Sequence, residues 1–131
     1  MPQFPMIPER KKALEKFPDY AVTSKPLGQL AKIIFNGEVV AESSEALLVS
    51  ETRHADVVYL PRSALKQSFF TATDHSTYCP FKGHANYWSA NVGGETSENI
   101  VWSYEDPYPE VAELENYLSF YTDRVNVSSS A

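Results

Sequence analysis

The pattern of apolar and polar positions changes character near residue 30. Upstream, prolines stand at positions 2, 5, 8, 18 and 26, and each removes a backbone donor and restricts the residue before it. Between them, residues 9–17 have room for two helical turns, with Pro8 at the first helical position. Residues 1–28 are expected to form an N-terminal arm that packs loosely on the rest of the chain. Its basic cluster Arg10-Lys11-Lys12 is interspersed with Glu9, Glu15 and Asp19, which reads as a solvated helix face.

Downstream the chain becomes a series of short β-prone runs separated by turn signals. Asn36-Gly37 lies between Ala31-Lys32-Ile33-Ile34-Phe35 and Glu38-Val39-Val40-Ala41-Glu42. Asn-Gly in that setting predicts a hairpin, because a type I′ turn needs positive φ at both central positions. Residues 46–50 and 57–60 read as two more strands with a turn over 52–56, and 61–65 as one turn of helix. Strands over 77–79 and 84–90 flank Pro80-Phe81-Lys82-Gly83, and Gly93-Gly94 reverses the chain again into a strand over 99–104. Residues 110–118 carry Val111, Leu114 and Leu118 at helical spacing, with acidic residues toward the N-terminal side where the helix dipole favours them. Phe120-Tyr121 and Val125 are expected to close the sheet, and 128–131 to form a flexible tail. Strands joined by turns this short pair antiparallel. The expected fold is therefore mainly β: one domain over residues 29–127, built of antiparallel sheets with short helices.

The central hairpin predicts a particular grouping. A two- or four-residue loop about Pro80 to Gly83 sets Cys79 opposite His84, Thr77 opposite Asn86 and His75 opposite Trp88. Side chains alternate faces along a strand, so these six would share a polar face, with Tyr78, Ala85 and Tyr87 on an apolar one. A three-residue loop would break that pairing. A two-residue Gly93-Gly94 turn adds Asn99, Val101 and Ser103 to the polar face, and Ile100, Trp102 and Tyr104 to the apolar face.

Composition narrows what such a face can do. The 131 residues make one domain's worth of chain, and aromatics reach 13 %, with eight Tyr, seven Phe and two Trp. The single cysteine excludes an internal disulfide and a four-cysteine zinc site. A net charge of −6 disfavours non-specific nucleic-acid binding. No apolar run is long enough to span a bilayer, and none near the start has signal-peptide length, so the expected compartment is the cytoplasm. Asn91-Val92-Gly93-Gly94 lacks the Lys-Ser/Thr and helix of a phosphate loop.

Three chemistries could use the polar face. Cys79 opposite His84 has the cross-strand spacing for a thiolate–imidazolium nucleophile, with Lys82 nearby, although a lone cysteine is more often a small buried hydrophobe. His75 and His84 with Asp74 or Glu51 could ligate a metal, but no HxH, HExxH or CxxC spacing supports it. Trp88, with Phe81, Tyr59 and Tyr104, could wall a pocket that stacks a ring or cages a cation. Trp88 on an otherwise polar face reads as a site wall, whereas Trp102 and Tyr87 read as core.

Several stretches together resemble the domain of unknown function family numbered 427. They are Asn36-Gly37-Glu38-Val39-Val40-Ala41-Glu42-Ser43, Tyr59-Leu60-Pro61-Arg62, Ser76-Thr77-Tyr78-Cys79-Pro80-Phe81-Lys82-Gly83 with the following His84-Ala85-Asn86-Tyr87-Trp88-Ser89, Val101-Trp102-Ser103-Tyr104, and Tyr117-Leu118-Ser119-Phe120-Tyr121 with Asp123-Arg124-Val125. The resemblance covers roughly residues 30–127. It implies a β-tent fold, two antiparallel sheets meeting along one edge with a pocket on the inner side. Zinc-bearing relatives of that fold use paired Cys-x-x-Cys knuckles, which one cysteine cannot supply. The family also carries a nucleotidyltransferase-like label, yet the chain has no Gly-Ser pair with an Asp-x-Asp. Leu60 and Ser63-Ala64 depart from an aromatic and an acidic pair common in the family, which weakens any charged site near the short helix.

The expected function is small-molecule binding in an aromatic and polar pocket, with Glu51, Tyr59, Thr77, Lys82, Asn86 and Trp88 as ligand-binding residues. One alternative is a cysteine-dependent enzyme using Cys79 with His84 as base; another is a protein-interaction module using a sheet edge or the N-terminal arm. No metal or cofactor is expected, and neither nucleic acid nor membrane is an expected partner.

Overall fold

A computed structural model describes residues 7–130. Ten strands form two antiparallel sheets among the described residues. In chain order they are β1 (Val22–Pro26), β2 (Leu30–Phe35), β3 (Glu38–Ser43), β4 (Leu47–Glu51), β5 (Val57–Pro61), β6 (Phe70–Cys79), β7 (Gly83–Val92), β8 (Glu95–Ser103), β9 (Tyr117–Phe120) and β10 (Asn126–Ser130). The large sheet has the order β1-β4-β5-β9-β8-β7-β6 and the small one β10-β2-β3. The mainly β, antiparallel, two-sheet expectation holds. One helix, α1 (Pro8–Lys16), opens the described chain, and single turns of 3-10 helix lie at Arg62–Ala64 and Gln67–Phe69 with a longer one at Pro109–Leu114. Among the described residues no helix is long and apolar enough to cross a membrane.

The Asn36-Gly37 turn forms as expected, with φ of 49° and 80° at the two positions. The small sheet that it nucleates lies against one face of the large sheet. Ile33, Val40 and Ala41 from the small sheet and Leu60, Trp88, Val101, Leu118 and Phe120 from the large one share a single buried cluster. Burial of this apolar surface is what holds the layers together. Trp88 is thus a core side chain, 7 % exposed, and not a wall of the cleft on the other face of the large sheet. The reason is parity: Trp88 pairs with Val101, which pairs with Phe120, and all three point into the layer between the sheets.

The opposite face of the large sheet carries a second cluster, Val49, Tyr59, Ala85, Tyr87, Tyr104, Val111 and Leu114, with Cys79 and Trp102 packed on it. Which residues face it is decided at the β6–β7 hairpin. The loop has three residues, 80–82, so Cys79 pairs with Gly83, Tyr78 with His84, Thr77 with Ala85 and Ser76 with Asn86. This is one residue out of the expected register, and a one-residue slip exchanges faces. The expected polar face is therefore split: Cys79 and Thr77 lie with Tyr87, whereas His84 and Asn86 lie on the other side with Trp88. Gly83 adopts φ of 118° at the loop exit, where its Cα lies under the backbone of Asp106 and Pro107. The Gly93-Gly94 turn keeps the expected two-residue form up to Ala90↔Ser97, and an irregularity near Asn99 (φ 53°) then shifts the register by an even number, which leaves Tyr87 paired with Trp102.

Three boundaries differ from expectation. The 110–118 helix stops at Leu114, because Asn116 turns the chain with φ of 68° and Tyr117–Phe120 pairs with β5 and β8. Leu118 and Phe120 reach the core by strand alternation and not by helical spacing. The expected tail is the strand β10, paired to β2. Residues 1–6 of the expected arm lie outside the described residues, and the rest of it is fastened: β1 extends the large sheet, and the buried Arg10 of α1 donates to the Pro80 carbonyl at 2.6 Å, pairs with Glu110 at 2.5 Å and covers the Tyr108 ring at 3.8 Å.

Candidate functional site

The second cluster does not fill its face of the sheet. A cleft of about 620 Å³ remains, floored by β5, β7 and β8 through Tyr59, Tyr87 and Trp102. One wall is the tip of the β6–β7 hairpin with Cys79, Phe81 and Lys82, and another is the β4–β5 turn with Glu51, Arg53 and His54. The segment after α1 supplies a third through Phe17 and Tyr20, and Tyr121 completes the lining.

Both ends of the hairpin tip are tied down. The Lys82 carbonyl accepts the Tyr108 N–H at 3.0 Å, and the Pro80 carbonyl takes the Arg10 guanidinium. The tip therefore projects Phe81 and Lys82 into the cleft in fixed positions. The Phe81 ring stacks on Tyr20 at 3.8 Å between centroids. The Lys82 ammonium pairs with Glu51 Oε1 and lies 5.4 Å from the centre of the Tyr104 ring. The Tyr20 hydroxyl donates to Glu51 Oε2. Both oxygens of the carboxylate thus have partners, and the side chains of Glu51 and Lys82 are only 13 % and 10 % exposed. Burial pushes the Glu51 pKa up, but the hydrogen bonds from Lys82 and Tyr20 outweigh it and hold the carboxyl below its ordinary value.

The aromatic floor is cross-linked by its own polar atoms. Trp102 Nε1 donates to the Tyr59 hydroxyl at 3.2 Å, the two rings meeting edge to face. The Tyr87 hydroxyl shares a hydrogen bond with Thr77 Oγ1 at 2.9 Å and lies 3.4 Å from the Tyr121 hydroxyl. Burial raises the phenol pKa of Tyr20, Tyr59 and Tyr104, and burial with the Tyr87 hydrogen bond raises that of Tyr121 to about 12. At neutral pH these phenols are neutral and able both to donate and to accept. The buried lining therefore holds one self-neutralised ion pair and a set of uncharged hydroxyls around apolar rings.

Of the residues singled out from sequence, Glu51, Tyr59, Lys82 and Cys79 meet in this cleft, and Thr77 supports it through Tyr87. His84 and Asn86 do not. They lie on the opposite face, beside Gly83 and Tyr108 in a separate depression of about 280 Å³. Cys79 and His84 are thus not assembled as a nucleophile and base. His54, read as a turn residue, is on the cleft rim 6.3 Å from the Tyr20 ring. Sequence reasoning missed Phe17, Tyr20 and Tyr121 and placed Tyr87 and Trp102 in the core alone. The signal for the last two was present in the alternation, once the hairpin loop is given three residues. Among the described residues no three His, Cys, Asp or Glu side chains converge as metal ligands.

A family model described as a domain of unknown function (DUF427) matches residues 23–130. The match begins in β1, so α1 and the cleft residues Phe17 and Tyr20 lie outside it. No curated protein matches the chain.

Proposed function

The chain belongs to the DUF427 family, a family that names no activity, and from the site itself we propose that the domain binds a small, uncharged, flat organic molecule in the aromatic cleft. The observation that carries this reading is the pairing of a 620 Å³ cleft with a lining whose buried charges already neutralise each other. Cavities of this size suit small-molecule ligands, and an aromatic lining with few convergent polar groups is their usual composition. A charged ligand would have to desolvate without a free counter-charge, because Glu51 and Lys82 occupy one another and Arg53, the exposed cation of the wall, is paired with Asp19. A ring with a hydroxyl or amide would stack against the aromatic lining and exchange hydrogen bonds with the phenols of Tyr59 and Tyr121. Cys79 in this reading is part of the wall.

The test is amide chemical-shift mapping with phenol and benzamide as probes at millimolar concentration. Saturable shifts are expected at residues 51, 79–82, 102 and 121, and they should be lost in Trp102→Ala, whose folding is checked by its own spectrum. Shifts confined to other surfaces, or no saturable shift in the folded wild type, overturn the reading.

A further inference from the structure

We infer that the cleft continues into a second chamber and that its ligand is amphipathic: a ring with an uncharged polar group that carries an apolar tail. This rests on the reading above and extends it. The second chamber has a volume of about 430 Å³ and is lined by Ile33, Val58, Phe120 and Val127. Ala55, Val57, Trp102 and Tyr121 line both chambers, so the two share a boundary. Trp102 and Tyr121 form one bank of that boundary, with ring centroids 4.8 Å apart, and the start of β5 forms the other.

A surface anomaly gives the second chamber its meaning. Among the described residues the exposed large hydrophobics are Tyr121 and Val127, at 36 % and 41 %. Both line this chamber. An exposed apolar side chain is ordinary alone, but two that converge on a cavity adjoining an aromatic cleft mark surface that a ligand would cover. The polar groups are distributed unevenly along the path. Glu51, Lys82 and the phenols of Tyr20, Tyr59 and Tyr87 lie at the first chamber, whereas the second combines Ile33, Val58, Phe120 and Val127 with Asp56, Ser119, Thr122 and Asp123. A ligand matching both has its polar ring at the hairpin tip and its hydrocarbon beside Val127. Asp56 and Asp123 on the lining of the second chamber disfavour an anionic tail end, which argues against a fatty-acid carboxylate there.

A homologous series tests this: phenol, 4-ethylphenol, 4-butylphenol and 4-hexylphenol, with affinities taken from the same amide shifts. Each added methylene that leaves water should tighten binding about three- to fourfold. Shifts should spread to residues 58, 120 and 127 as the chain lengthens. In Val127→Asp the advantage of 4-hexylphenol over phenol should fall by about tenfold or more. Phenol binding with no gain along the series overturns the second chamber and leaves the first reading standing. A gain that is the same in Val127→Asp and wild type also overturns it, since the tail would then lie elsewhere. Failure of every member of the series to bind overturns both.

Discussion

Replacing Lys82 by Met removes one partner of the buried ion pair while keeping most of the side-chain volume. Deleting one member of such a pair generally costs about 3–5 kcal/mol, because the other charge is left buried and uncompensated. Here about a tenth of each side chain still reaches water, and Tyr20 continues to donate to the remaining carboxylate. The loss should fall below that range, at about 2–3 kcal/mol. In a chain of 131 residues that is a drop in Tm of roughly 10 °C at neutral pH. The pH dependence carries the sharper claim. In the wild type the Glu51 pKa is lowered, so its stabilisation is present above the unfolded carboxyl value of about 4.3 and is lost as pH falls through the folded value. In Lys82→Met burial dominates and lifts the Glu51 pKa above the unfolded value. Protonation then relieves the variant, and the gap between variant and wild type should narrow steadily as pH falls from 7 toward 4. Lys82→Met/Glu51→Gln should recover at least half of the loss, since no charge remains to be desolvated. Urea melts at several pH values, with a double-mutant cycle, measure all three quantities. A gap that is constant with pH, or a double variant no better than the single one, would refute the reasoning.

Trp88→Ala should destabilise by about 3–5 kcal/mol in chemical denaturation, because Trp88 fills the layer between the sheets; a loss no larger than that of Trp102→Ala would contradict its core placement. Gly83→Ala should cost about 1–2 kcal/mol, since φ of 118° is strained for any other residue and the new Cβ would stand 3.4 Å from the Asp106 carbonyl oxygen. Tyr121 should ionise near pH 12 in a titration followed by carbon-13 shifts of labelled tyrosine rings, and ionisation near 10 would mean that neither burial nor the Tyr87 hydrogen bond holds its proton.

The hairpins were legible where a turn residue fixes the register by itself. Asn36-Gly37 can form little else, and both positions take positive φ as the turn demands. The β6–β7 turn is different, because Pro80-Phe81-Lys82-Gly83 is compatible with loops of two, three or four residues. The deciding contact is remote: the Asp106–Tyr108 backbone packs on Gly83 and ties the Lys82 carbonyl. Nothing local to the hairpin encodes that contact, yet it determines on which side of the sheet Cys79 lies. The 110–118 segment fails for a related reason. Leu114 and Leu118 have helical spacing, but pairing with β5 and β8 satisfies the backbone of Tyr117–Phe120 and buries Leu118 and Phe120 together.

The same distinction explains which part of the site could be read. Glu51, Tyr59, Lys82 and Cys79 were found as residue types at motif positions, and for them only the chemistry had to be right. The pairing of Trp88 with His84 and Asn86 as one wall followed from parity, and there the face assignment was inverted as a consequence of the loop length. Tyr20 could not be reached by either route. It precedes the sheet, has no periodic neighbour, and is held at the site from both sides: Arg10 fastens α1 to the Pro80 carbonyl and to Glu110, and Ala21 and Val22 pair with Thr52 and Glu51. So held, Tyr20 stacks on Phe81 and its hydroxyl donates to Glu51. The segment that supplies Phe17 and Tyr20 also lies before residue 23, where the family match begins. The floor of the cleft therefore belongs to the shared domain, whereas the wall that closes it over Glu51 is supplied from outside the matched span. Exchanging the segment before residue 23 should therefore reshape the opening above Glu51 while leaving the floor of Tyr59, Tyr87 and Trp102 in place.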